Sequence, residues 1–201
     1  MSQVVKRALV ILAQGFEEVE AITPVDYLRR AEIEVITAAL DKDRLVTGSR
    51  GIPVMADTTL KSLAEEKKFS PSHWDAVILP GGLPGSNNLA ASNEVTNFII
   101  AMAGDDKWVC AICAAPALVL GPLDLLTGRK FTCYPGLEEK VKGANWQEDR
   151  VIIDINPAPK KSGIITSRGA GTAGEFAAAI ISSLLNDAKG KEIAEKVLLK
   201  F

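Results

Sequence analysis

The 201-residue chain carries 23 lysine and arginine residues against 25 aspartate and glutamate residues and is 47% apolar, with a pI near 5.6. It is long enough to bury one large core, and without a basic excess it is ill suited to nucleic acid or to an anionic membrane surface. Three cysteines form an odd set, too sparse for a disulfide scaffold, which points to a reducing compartment and a cytoplasmic protein.

The opening segment MSQVVKRALVILAQGFEEVE holds an apolar stretch of only about seven residues that ends in acids. It is too short to span a bilayer and lacks a small-residue cleavage site, so RALVILA (7–13) reads as the first strand. Residues 17–31 place Val19, Ile22, Val25 and Leu28 at helical spacing. EVITAA (34–39) reads as the second strand, and LVTG and IPVMA within 45–60 as a hairpin with edge strands. Then come AVILP (76–80), a helix over 93–103, WVCAI (108–112), the short runs KFTCY and RVIID within 130–155, GIITS (163–167) and a helix over 172–185. Four of the five main strands are nearly all apolar, as a parallel sheet covered on both faces requires. No repeat, low-complexity tract or linker divides the chain. The predicted fold is therefore α/β: a single domain over 1–201 with a doubly wound, mostly parallel sheet flanked by helices on both faces, a flavodoxin-like sandwich.

Ligands of such sheets sit outside the carboxyl ends of the strands, which singles out AQGFEEVE, PGGLPGSNN, CAAPA and SRGAGT. In the third of these, Cys113 ends an apolar strand and precedes Ala114, Ala115 and Pro116. The chain must turn into a helix at the cysteine itself, as at a nucleophile elbow, and Pro116 suits a first helical turn. A helix N-terminus there would lower the thiol pKa from about 8.5 toward roughly 3.5–7.5. A small buried hydrophobe is the alternative for Cys113. Cys110 and Cys113 form a C-x-x-C, but on an extended strand they point to opposite faces about 10 Å apart, too far for a disulfide, and Cys110 reads as core. Cys133 and the single histidine, His73, match no structural zinc spacing, so no metal is expected. His73 also precedes a strand, at the end opposite the strand-tip loops, so no Cys–His pair is expected and carboxylates come into question. Glu17 and Glu18 read as complements to the helix dipole. Glu20 fits two readings equally, an exposed acid or an inward carboxyl kept protonated by burial.

The succession RALVILAQGFEEVE, PVDYLRRA, LPGG, VCAICAAPALVL and TSRGAGTAGEFA resembles the ThiJ/PfpI superfamily, in the branch of the parkinsonism-associated protein deglycase and its bacterial relatives, from about residue 7 onward. The resemblance implies a cofactor-free site with Cys113 as nucleophile and oxidation-sensitive thiol, and with Glu20 as the protonated acid that hydrogen-bonds it. It further implies an anion-stabilising pocket from Gly81, Gly82 and the Ala114 N–H, pocket-side arginines Arg50 and Arg168 near a homodimer contact, and a small dicarbonyl or a glycated protein as substrate. Where human-like members carry a histidine, this chain has Tyr134 in Thr132–Cys133–Tyr134–Pro135, and Ala115 and Ala170 replace the usual glycine and proline. Residue 114 is alanine where the protease-like branch has histidine, which argues against peptidase activity.

Overall fold

The computed structural model describes residues 5–159 and 162–200. Its main sheet has seven strands: β1 (Arg7–Leu12), β2 (Glu34–Ala39), β5 (Thr58–Thr59), β6 (Ala76–Leu79), β7 (Trp108–Ile112), β10 (Val151–Ile155) and β11 (Gly163–Ser167), in the spatial order β10-β11-β7-β6-β1-β2-β5. The hairpin β3 (Leu45–Thr47) and β4 (Pro53–Met55) and the parallel pair β8 (Lys130–Phe131) and β9 (Asn145–Trp146) stand apart from it. All main-sheet pairings are parallel except β10 with β11, which is antiparallel. The α/β sandwich expected from the strand pattern is thus present. Of the expected KFTCY strand only Lys130–Phe131 forms.

The central strands are buried on both faces, and alternation splits their side chains between two cores. Val10, Leu12, Ile78, Cys110 and Ile165 face α1 (Glu18–Arg30) and α5 (Ala173–Leu184), where Val25, Leu28, Phe176 and Ile180 close the layer. Leu9, Ile11, Val77, Leu79, Val109 and Ala111 face α2 (Leu60–Glu65), α3 (Gly85–Ala91) and α4 (Asn93–Gly104), with Leu63, Leu89, Phe98 and Met102 opposite. α6 (Asp187–Lys196) packs outside α5.

The helices α2, α3 and α6 have no counterpart in the apolar periodicity. α3 reads GSNNLAA, a poor helix former, and is anchored from outside by the Gly85 N–H to the Gly15 carbonyl at 3.1 Å. α6 is mostly polar, starts at Asn186, whose side chain accepts the Lys189 N–H, and buries only Gly190, Ile193 and Ala194.

β1 lies between β2 and β6, so the winding direction reverses beside it. The loops after β1 and β6 meet at that switch point, where the Glu17 N–H donates to the Gly81 carbonyl at 3.0 Å.

Candidate active site

Cys113 leaves β7 with φ of +63°, a left-handed conformation that is sparsely populated for a residue with a side chain and costs on the order of 1–3 kcal/mol. Two backbone bonds hold it: the Cys113 N–H donates to the Ser167 carbonyl at 2.9 Å, and the Tyr134 N–H donates to the Cys113 carbonyl at 2.8 Å. The loops after β7, β8 and β11 are therefore tied together at the cysteine. The predicted elbow is present, and the helical segment that follows it is one π-helical turn, Pro116–Leu120.

Glu20 lies in the first turn of α1 and is 1% exposed. Glu17 caps that helix by accepting the Glu20 N–H at 2.8 Å, which orients the first turn so that residue 20 points into the switch point. There its carboxyl accepts the Gly81 N–H at 2.9 Å and is hydrogen-bonded to the Cys113 side chain. A Cβ at Gly81 would stand 2.5 Å from Glu20 Oε2 and 2.6 Å from Cys113 Cβ, so only glycine allows the approach. The sulfur receives the N–H groups of Gly82 and Ala114. The expected trio of anion-stabilising amides needs one correction: Gly82 and Ala114 face the sulfur, whereas the Gly81 N–H is taken by Glu20.

Burial raises the Glu20 pKa to about 7, and the nearby Glu17 charge adds to it, against the hydrogen bonds from Cys113 and Gly81. Burial also pushes the Cys113 thiol up, joined by the charge and hydrogen bond of Glu20, with the Ala114 and Gly82 amides pulling the other way. This overturns the expectation of a thiol lowered by a helix N-terminus. Low polarity and a neighbouring carboxylate outweigh the backbone dipoles, so the two groups resist being anionic together.

Tyr134 is 54% exposed and lines an open cleft of about 400 Å³ with Arg168 and Gly169. Arg168 donates Nη1 to the Glu148 carbonyl at 2.9 Å. Arg50 lies in the turn between β3 and β4, where its backbone N–H, not its guanidinium, bonds the Glu18 carboxylate at 2.8 Å. Within one chain the described residues thus give Arg50 no contact with the Cys113 pair. Glu18 does more than complement the dipole. It is buried and accepts N–H groups from Arg50 and Ile52; burial opposes its ionisation, but these backbone donors and the Arg50 charge outweigh it and hold the carboxyl below its ordinary range. Cys110 is core, with burial pushing its thiol up, and Cys133 is buried as well. His73 stays at the opposite end of β6, in the turn Pro71–His73. Sequence reasoning missed Gly169: a Cβ there would lie 3.6 Å from Tyr134 Cδ2, 3.9 Å from Glu20 Oε1 and 4.0 Å from Cys113 Sγ. Only its place in a strand-tip loop hinted at this.

Among the described residues no three His, Cys, Asp or Glu side chains gather as metal ligands, and no helix is long and apolar enough to cross a membrane. The arrangement can add a sulfur to an electrophilic carbon, move a proton through Glu20 and stabilise an anion on two amides.

Comparison with known proteins agrees with this architecture. Over 98% of both chains, the sequence is 37% identical to protein dj-1beta of Drosophila melanogaster. It is 38% identical over 95% of its length to protein DJ-1 homolog B of Arabidopsis thaliana, of which it spans 41%. Deglycase PH1704 of Pyrococcus horikoshii is 30% identical over 75% of this chain and 86% of its own. Among solved structures, a DJ-1 superfamily protein of Salmonella typhimurium superposes with a TM-score of 0.86 at 36% identity, over 98% of this chain and all of its own. The oxidized DJ-1 of Toxoplasma gondii gives 0.87 at 33% over the same shares. Residues 6–183 match the DJ-1/PfpI family as a whole. With the family matched over most of the chain and a relative 37% identical over 98% of both chains, this protein belongs to the DJ-1/PfpI family.

Proposed function

We propose that this protein is a cofactor-independent cysteine enzyme acting on reactive dicarbonyls, as a glutathione-independent glyoxalase that turns methylglyoxal into lactate, as a protein deglycase, or both. The observation that carries the proposal is the Cys113–Glu20 contact at a strained elbow, with the Gly82 and Ala114 amides on the sulfur. The deglycase name of the Pyrococcus horikoshii relative supports it.

In the proposed reaction the Glu20 carboxylate takes the Cys113 S–H proton as the sulfur adds to the aldehyde carbon and hands it to the developing alkoxide, giving a hemithioacetal and a carboxylate again. The Glu20 carboxylate then removes the hydrogen of that carbon as a proton, leaving an enediolate. Return of that proton to the neighbouring carbon, with the hydroxyl proton passing between the two oxygens, gives a thioester of the hydroxy acid. Water cleaves the thioester, releasing lactate and restoring the thiol, so methylglyoxal and one water are consumed. A Glu20 pKa of about 7 suits a group that must give and take a proton near neutrality. Lactate formed from methylglyoxal without glutathione tests the proposal. Wild type should turn over and Cys113→Ser should lose at least about a thousandfold; equal rates would end the enzyme reading.

A second reading, an oxidative-stress sensor or redox-regulated chaperone, is favoured by the oxidized state in which the Toxoplasma gondii relative was solved. Peroxide would carry Cys113 to a sulfinic acid held by Glu20 and the two amides. Mild peroxide should then add two oxygens at Cys113 by intact mass, and the adduct should be lost or driven to the sulfonic form in Glu20→Gln; no addition at Cys113 would dismiss it. Both readings include a homodimer.

A further inference from the structure

Three hydrogen bonds close a ring at the first turn of α1. The Glu17 N–H donates to the Gly81 carbonyl at 3.0 Å, the Gly81 N–H donates to Glu20 Oε2 at 2.9 Å, and the Glu20 N–H donates to Glu17 Oε2 at 2.8 Å. The ring holds two side chains: Glu20, which reaches Cys113, and Glu17, to which the proposed reaction gives no part. It also fits tightly against the amides of the thiol. Gly82 has φ of +89°, and a Cβ on it would stand 2.4 Å from the Glu17 nitrogen. The residue whose N–H faces the sulfur is thus packed directly on the Glu17 backbone.

The ring needs only an acceptor at position 17, and serine, threonine, asparagine or aspartate caps a helix better than glutamate does. What glutamate brings is charge. Glu17 is half-buried, and its carboxylate is one backbone hydrogen bond away from Glu20, so an anion on Glu17 opposes a second anion on Glu20. The next residue, Glu18, is turned to the hairpin, where the Arg50 and Ile52 amides take it. The titratable groups that act on Glu20 are Glu17 from its own helix and Cys113 from the end of β7, with the Tyr134 ring across the Gly169 position. No lysine or arginine bonds its carboxyl among the described residues.

We propose that Glu17 is a positioning residue for the Cys113–Glu20 pair: its acceptor oxygen fixes where the Glu20 carboxyl sits, and its negative charge strengthens the hold of that carboxyl on the proton that passes through it. The consequence for turnover rests on the reading proposed above, in which Glu20 carries that proton; the effect on Glu20 itself does not.

Infrared difference spectra of the intact protein across the neutral range follow the protonated Glu20 carboxyl, identified as the band that Glu20→Gln removes. In wild type its midpoint should lie near pH 7. Glu17→Gln keeps an acceptor for the Glu20 N–H and loses the charge, so the midpoint should fall by on the order of one pH unit. The acid limb of lactate formation from methylglyoxal should fall with it, because the weaker base is deprotonated at lower pH. Glu17→Asp, charged and a favoured cap, should restore both. A purely structural role would lower the rate or the urea midpoint and move neither titration. A Glu20 midpoint unchanged in Glu17→Gln would overturn the proposal, and so would a fall that Glu17→Asp does not reverse. A midpoint that shifts as expected in a protein that makes no lactate would support the role of Glu17 and remove the enzyme reading alone.

Discussion

Glu20 is a carboxyl whose proton is part of the fold. Its pKa rises from 4.5 in the unfolded chain to about 7 in the native one, so between those values the native state binds the extra proton. Its contribution to stability is full below about pH 4.5 and is lost as pH climbs through about 7, a change on the order of 3 kcal/mol. Urea unfolding of wild type and Glu20→Gln at pH 4.5, 5.5 and 7.5 checks this: the difference between them should move in favour of the glutamine protein by that order as pH rises, and a constant difference would refute it. Cys113 was legible as a residue because a cysteine between an apolar strand and Ala-Ala-Pro has few other places to be. Its thiol pKa was not, because the direction depends first on burial and then on a carboxyl from α1, and only folding supplies both.

Backbone proximity decides several elements that carry no sequence periodicity. β10 lies so close to β11 that a Cβ on Gly163 would stand 2.0 Å from the Asp154 carbonyl oxygen and 2.9 Å from Ile155 Cα. Gly163→Ala should therefore push the edge strand outward and cost about 2–3 kcal/mol, read as a lower urea midpoint with little change in slope; an unchanged midpoint would show that β10 yields freely. Long apolar strands and the stripes of α1, α4 and α5 were readable because burial on a sheet imposes their period. α3 and α6 were not, because capping and docking supply what their composition lacks.

For the molecule as a whole, α1 and the β3–β4 hairpin expose Val19, Ile22, Leu45, Ile52 and Met55, each at least 40% accessible. The hairpin turn is fastened to α1 through the Arg50 and Ile52 amides on Glu18, and the second oxygen of that buried carboxylate has no hydrogen-bond partner among the described residues. These features support the homodimer proposed above. Light scattering should give about twice the 21.4 kDa chain mass for wild type and the single-chain mass for Ile22→Lys, and a monomeric wild type would contradict it.

By itself the sequence determined the class of fold, the strand that ends at the cysteine and the four loops that gather around it, because hydrophobic period and small-residue turns are local properties of the chain. Only the tertiary structure decided that Gly81 serves Glu20 rather than the sulfur, that Glu18 is buried, and that Gly169 leaves the open position beside Cys113. Each of these depends on distances between segments from different strands, which packing sets and linear order does not.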